Sequence, residues 1–308
     1  MVQEDEAAKV LSVTKQSKPR HRPFPLNTVE AQKLISRKLR ISPEQAMQHM
    51  EKLYNKGFLS YPRTETTRYN PTINLFQIVN NLCTNNEFGD YAKRVANKEL
   101  WAGPKRGKHD DNAHPPIHPV KNADKNSLTD PEWKIYDMLA RHFLATISKD
   151  AELYETAVKV GMGGEFFNAK GVAIEKLNWL EVFHWDKQME NELPNFTEGQ
   201  TFKPAELKMN EGATVPPKHL TEADLITKMN DNGIGTDATI HEHVKNVQER
   251  EYARKQNIFL VPTRLGLSLV EVYAKMGIDL YKPYLRAQME SDMKSIADGT
   301  KTKDEIYK

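Results

Sequence analysis

Between Ser60 and Thr66 the chain reads Ser-Tyr-Pro-Arg-Thr-Glu-Thr, which sets a tyrosine, an arginine and a glutamate at alternate positions. A tyrosine hydroxyl can act as a covalent nucleophile toward phosphorus. Its pKa is about 10, so near neutrality it needs help to ionise. In an extended segment alternate side chains share a side, so Arg63 and Glu65 fall beside Tyr61. A guanidinium there can lower the pKa of the phenol and grip a phosphodiester by a two-point contact. Glu65 can orient Arg63 or handle protons, and Pro62 stiffens the segment. A buried tyrosine at a strand end with a surface Arg–Glu pair has the same spacing, and spacing alone leaves both readings open.

Two further segments carry chemistry. The run His109-Asp110-Asp111-Asn112-Ala113-His114, with His118 beyond it, offers oxygen and nitrogen ligands of the kind that bind divalent metals. Pro115 and Pro116 break any helix that would set the histidines on one face, so no metal site is expected. The run Gly233-Ile-Gly-Thr-Asp-Ala-Thr239 is a glycine-rich turn opening a helix, where free N–H groups and the helix dipole favour a phosphate. Gly235 supplies backbone freedom, and Thr236 and Thr239 can add hydroxyl contacts; a helix-turn-helix corner needs the same glycines. Arg37, Lys38 and Arg40, and also Lys105, Arg106 and Lys108, can line a strand-binding groove or be merely solvated.

These residues need elements to hold them. Asn27 to Arg40 reads as a helix, with Asn27 as cap and Glu30 three residues on, as in a capping box. Ser42-Pro43-Glu44-Gln45 opens a second helix. Its Ala46, Met47, Met50, Leu53 and Tyr54 share a face, and Gly57 ends it. Phe58 to Tyr61 reads as a short buried strand. Helix, tight turn, helix, strand is the order of a winged helix-turn-helix. Pro71 to Cys83 and Asp130 to Ser148 read as helices. In the second, Trp133, Tyr136, Leu139, Phe143 and Ile147 make a core stripe. Gly103 to Val120 is a loop. Ala7 to Val13, Tyr154 to Val160, Glu165 to Ile174 and Gly199 to Leu207 alternate like strands of a β module. Thr221 caps a helix ending near Asp231, and another runs from about Asp237 to Arg250. Short strands follow near Tyr252 and Phe259, then helices over Arg264 to Lys275 and Tyr284 to Ala297.

Composition sets outer bounds. The 308 residues are 38% hydrophobic and 28% charged, which suits a polar globular protein of two or three domains. A net charge of +2 neither demands nor excludes nucleic acid, since a local basic groove can coexist with an acidic back. One cysteine, Cys83, excludes a disulfide framework and a Cys-rich zinc site within the chain. The acidic start has no apolar run of a secretory signal, and no stretch is apolar enough to span a membrane.

Taken in order, these motifs resemble a known family. The segment Gly57-Phe-Leu-Ser-Tyr-Pro-Arg-Thr-Glu-Thr66 is similar to the active-site motif of type IA DNA topoisomerases. Arg22 to Val29 and Leu39 to Ser42 resemble the family's approach to it. Ala113-His-Pro-Pro-Ile-His-Pro119 resembles its histidine segment, and Leu220 to Leu225 with Gly233 to Thr239 its distal phosphate-binding segment. The Thr-Glu-Thr ending and the Ala-His-Pro-Pro-Ile form are nearest the eukaryotic topoisomerase III branch. The resemblance implies that Tyr61 attacks single-stranded DNA and becomes joined to the 5′ phosphate without a nucleotide cofactor. It implies that Arg63 positions the phosphate, Glu65 supports the site, His114 contacts DNA near the nucleophile, and the 233–239 turn contacts the strand backbone.

The fold it implies is a multidomain α+β type IA core without the family's acidic Toprim domain. Residues 1–23 form a β arm and connector, 24–153 a winged-helix tyrosine domain, 154–219 a β-rich hinge domain and 220–308 a helical base domain. Magnesium is expected to be held by the Toprim domain, whose Asp-x-Asp pair this chain lacks, and none within these residues. The chain is therefore expected to bind single strands and cleave weakly alone. The resemblance further implies a RecQ-type helicase and an OB-fold accessory protein as partners, roles in DNA recombination and repair, and a nuclear or additionally mitochondrial location. Two other readings fit the same elements: a strand-binding module that does not cleave, and a winged-helix regulator that prefers a duplex sequence.

Overall fold

A computed structural model describes residues 7–186 and 190–307. Strand β1 (Ala8–Ser17) leads through a proline-broken connector to helices α1 (Thr28–Leu39) and α2 (Pro43–Asn55). Both start as the sequence dictates: the Asn27 side chain accepts from the Glu30 N–H, and the Ser42 hydroxyl from the Gln45 N–H. Glu30 itself turns to Lys33 at 2.7 Å rather than back to the cap. Helix α3 (Leu75–Leu82) starts later than expected, because the Asn74 side chain caps it by accepting from the Gln77 N–H. Helix α4 (Gly89–Ala96) was not foreseen; it is too short for periodicity to reveal.

Helix α5 (Asp130–Ile147) is the spine of the molecule. The expected stripe of Trp133, Tyr136, Leu139, Phe143 and Ile147 is buried, and so are Ile135, Met138, Leu144 and Ala145, so α5 is enclosed almost all round. Ala46, Met47, Met50 and Leu53 of α2 pack into the same cluster. β2 (Glu152–Met162) and β3 (Glu165–Lys176) then form a hairpin, and a short helix α6 (Trp179–Val182) returns Trp179, Leu180 and Phe183 to the α5 core. β4 (Thr201–Phe202) completes a sheet in the order β3-β2-β1-β4. Its pairs are antiparallel, with Val10 opposite Val160 and Val160 opposite Phe167, over a small core of Ala8, Val10, Val158, Val160 and Met162. The expected strand over Gly199 to Leu207 contracts to these two paired residues.

Helices α7 (Glu222–Asp231) and α8 (Ile240–Glu249) precede a hairpin of β5 (Ala253–Gln256) and β6 (Phe259–Pro262), then α9 (Arg264–Lys275), α10 (Pro283–Ala297) and α11 (Lys303–Ile306). Thr221 and Asp224 form a reciprocal capping box on α7. Val29 of α1 packs with Ile226 and Met229 of α7 and Ile240 and Val244 of α8, which brings the distal turn against the segment carrying Tyr61. No helix among the described residues is long and apolar enough to cross a membrane.

The start of α5 has a pH signature. Burial raises the Glu132 carboxyl, but Lys56 at 2.8 Å and the backbone and hydroxyl of Thr129 outweigh it and hold the group at about 2. A depressed folded-state pKa adds stability above the unfolded value of about 4.3, and that stability is lost as pH falls through the folded value. Between pH 2 and pH 5 the native chain should gain on the order of 2–3 kcal/mol more unfolding free energy than Glu132→Gln. Urea titrations of both proteins across that range measure the difference; parallel pH curves would refute the assignment.

Candidate active site

Gly57 adopts the left-handed conformation, φ +75°, and turns the chain out of α2. The following residues do not form a strand. They make a single antiparallel bridge, Leu59 opposite Pro119. Flanking it, Ser60 N–H donates to His118 O at 2.9 Å and His118 N–H to the Ser60 hydroxyl at 2.9 Å. Beyond the bridge the chain bends at Pro62, and burial alternates along it. Pro62, Thr64 and Thr66 are buried, Tyr61 and Arg63 half-buried, and Glu65 exposed.

The inward residues are fastened from two sides. Thr28, fully buried at the start of α1, donates its N–H to Thr64 O at 3.0 Å and its hydroxyl to Pro62 O at 2.7 Å, and accepts from Thr64 N–H at 2.8 Å. From the other side comes Asp111. One of its carboxylate oxygens accepts from the Thr64 hydroxyl at 3.0 Å and Glu65 N–H at 3.2 Å. The other accepts from Ala113 N–H at 2.9 Å and His114 N–H at 2.8 Å. Burial pushes this carboxyl up, but the donors from His114, Ala113, Thr66 and Thr64 outweigh it and bring it down to about 2. Farther along, Gly107 lies so close to Thr67 that an added Cβ would sit 2.1 Å from its hydroxyl, so the loop and the tyrosine segment touch backbone to backbone.

Tyr61 stands between two rings. Tyr54, in the last turn of α2, meets it edge-on with centroids 5.2 Å apart, and His114 lies against it at 4.6 Å. Arg63 donates from Nε to Glu51 Oε1 at 2.9 Å, with Nη2 2.7 Å from the same oxygen, and from Nη1 to the Ala238 carbonyl at 3.1 Å. Glu65 is therefore not the partner of Arg63. It points outward, and the guanidinium turns to Glu51 on α2 instead. Sequence reasoning missed Glu51 and Tyr54 as site residues, and weighed Asp111 only as a metal ligand. The available signal was that α2 delivers the chain directly to Tyr61, so its last turns must border the site.

A cleft of about 760 Å³ opens beside the segment. Its lining includes Thr64, Glu65 and Thr67, Arg106, Lys108 and His109 of the loop, and Gly235, Thr236 and Asp237 of the distal turn. Glu65, Lys108, Gly235 and Thr236 are thus brought together. Gly235 has φ +81°, which needs glycine, and the Thr239 hydroxyl accepts from Thr236 N–H at 3.0 Å to shape the turn. Four other basic candidates lie outside the cleft's lining, among them Lys105, whose Nζ sits 5.1 Å from the centre of the Phe24 ring. Arg37 faces Asp224 at 3.5 Å, Lys38 is paired with Asp186, and Arg40 is exposed at the end of α1.

The His109–His118 loop does not fit a metal. Asp110 binds Arg68 at 2.8 Å, Asp111 is used by N–H and hydroxyl donors, and His118 is buried with Nδ1 2.7 Å from Pro116 O. Among the described residues no group of three or more His, Cys, Asp or Glu side chains could hold a metal ion.

Removing the Asp111 carboxylate strands donors at Thr64, Glu65, Ala113 and His114. Asp111→Ala should lower stability by about 1–3 kcal/mol and speed amide exchange at Glu65, Ala113 and His114. Hydrogen exchange unchanged at those amides would show that the carboxylate does not organise the site.

A family model described as DNA topoisomerase matches residues 1–308. DNA topoisomerase 3 of Caenorhabditis elegans is 44% identical over 304 residues, covering 98% of this chain and 40% of that protein. DNA topoisomerase 3-alpha of Homo sapiens is 42% identical, covering 97% of this chain and 30% of that protein. Full-length topoisomerase I of Thermotoga maritima superposes with a TM-score of 0.78 at 25% identity, over 96% of this chain and 50% of that one. The chain spans 24–49% of the length of the topoisomerase 3 relatives it matches. The chain belongs to the type IA DNA topoisomerase family.

Proposed function

We propose that this chain provides the strand-cleaving tyrosine and part of the strand-binding groove of a type IA topoisomerase. The observation that carries the reading is Tyr61, held half-exposed between Tyr54 and His114, with Arg63 on the same side and a cleft beginning at Thr64. In this reading the Tyr61 hydroxyl attacks a backbone phosphorus of single-stranded DNA. A phosphotyrosine bond to the 5′ side forms as the bond to the 3′ oxygen breaks. The phenol gives up its proton, and the departing 3′ oxygen takes one up. One phosphodiester replaces another, so no nucleotide cofactor is consumed. The 3′ hydroxyl later reverses the attack, after another strand has passed through the gap. Arg63 grips the scissile phosphate, and Glu65 and His114 flank the reacting groups. Lys108, Gly235 and Thr236 contact the strand, with Thr239 shaping their turn. Arg37, Lys38 and Arg40 would meet the strand outside the cleft.

Magnesium, where it acts, would balance charge and help place the 3′ end during rejoining. By the family resemblance we assign it to the acidic Toprim domain. The division at residues 23, 153 and 219 into connector, tyrosine, hinge and base domains belongs to the same proposal. So do a RecQ-type helicase and an OB-fold protein as partners, action in recombination and repair, and a nuclear or mitochondrial location. A second reading, strand binding without cleavage, is favoured by one observation: Arg63 is already engaged by Glu51 and Ala238.

A denaturing trap on end-labelled single-stranded DNA separates the two. Wild type should give a covalent adduct that Tyr61→Phe abolishes while strand binding persists. No adduct with or without magnesium, and intact binding, would leave only the second reading. Arg63→Ala should lower adduct yield at least tenfold more than it lowers strand affinity, since phosphate positioning in the transition state is its assigned task. Equal losses would make Arg63 a binding residue only.

A further inference from the structure

The contacts of Arg63 assign a role to a residue that neither the motif nor the resemblance singles out. Glu51 sits on α2 three residues before Tyr54, so one face of one helix carries both the carboxylate that meets Arg63 and the ring that meets Tyr61. Both Nε and Nη2 of Arg63 turn to a single oxygen of Glu51, at 2.9 and 2.7 Å. The edge of the guanidinium that carries both nitrogens therefore faces α2. The Nη1 end then points away from α2, where it meets the Ala238 carbonyl at 3.1 Å in the turn before α8. That carbonyl is an oxygen acceptor in the glycine-rich turn, so the Nη1 end is already turned toward an oxygen on the cleft's distal side.

We propose that Glu51 is the positioning residue for Arg63, holding its guanidinium edge-on so that the Nη1 end meets the scissile phosphate in place of the Ala238 carbonyl. The proposal rests on the cleavage reading above. A free arginine has several rotamers, and each must be lost before a two-point phosphate contact forms. Glu51 removes them in advance, from a rigid helix rather than a loop. The role needs an acceptor at this point, and both contacts go to one oxygen. A glutamine can supply that oxygen, and an alanine cannot.

The test compares Glu51→Ala and Glu51→Gln with wild type by two readouts. The first is the Arg63 side-chain Nε–H resonance, identified by its absence in Arg63→Lys. It should exchange slowly in wild type and Glu51→Gln, exchange fast in Glu51→Ala, and keep its shift when single-stranded DNA is added, since Glu51 stays bound. The second is adduct yield against strand affinity. Glu51→Ala should lose roughly ten- to a hundredfold in adduct with less than about a threefold change in affinity, and Glu51→Gln should recover most of the loss. If the alanine variant unfolds, Glu51→Asp, one methylene too short, replaces it with the same expectation. Wild-type adduct yield in Glu51→Ala, or an Nε–H that exchanges fast in wild type, overturns the proposal. If wild type itself forms no adduct, the cleavage reading fails, and the Nε–H readout alone still decides whether Glu51 holds Arg63.

Discussion

A segment outside any sheet still has to satisfy its backbone N–H and C=O groups, and the way Pro62 to Thr66 does so organises the rest of the site. Thr28 takes the inner edge and Asp111 the outer one. Each does so with a short side chain on a firm anchor: Thr28 on the buried face of α1, Asp111 in a loop whose own N–H groups close around its second oxygen. The result is a rigid ribbon whose outward positions are Tyr61, Arg63 and Glu65. A nucleophile must stand where a strand can reach it, yet stay within a fraction of an ångström of its geometry. Side-chain fastening meets both demands, because it leaves one side of the ribbon clear.

The same fastening joins distant parts of the chain. Residues 26 and 117 bridge, 59 and 119 bridge, and the Arg63–Ala238 contact reaches across to the turn before α8. Behind that contact Val29 packs on Ile226, Met229 and Ile240, so the glycine-rich turn is carried to the cleft by apolar burial rather than by charge. Ion pairs across this junction, such as Arg37 with Asp224, are exposed and contribute little to holding it. Lys245 with Glu44 is more enclosed and ties α8 to the start of α2.

Much of the framework was legible without coordinates. Asn27, Ser42 and Thr221 announce helix starts because their side chains can cap only one turn. The stripe on α5 and the alternation of β2 and β3 follow from the two backbone periodicities. The alternation of Tyr61, Arg63 and Glu65 with buried neighbours held even though the expected strand did not form and the chain bends at Pro62, because Thr28 and Asp111 hold the intervening residues inward. The ordered motifs also carried the family resemblance, which the match over the whole chain agrees with.

Tertiary structure decided who meets whom. Sequence proximity favoured Glu65 as the partner of Arg63, yet Glu51 lies closer in space because α2 runs back along the segment it feeds. Asp110 and Asp111 look alike in the sequence, and only the fold gives one to Arg68 and makes the other the hub of the tyrosine ribbon. Of the basic residues, packing set Lys108 on the cleft and turned Lys38 to Asp186. Local pattern fixes which side of an element a residue occupies. Long-range contact alone fixes what stands opposite, because that depends on how separate elements pack and not on any spacing along the chain.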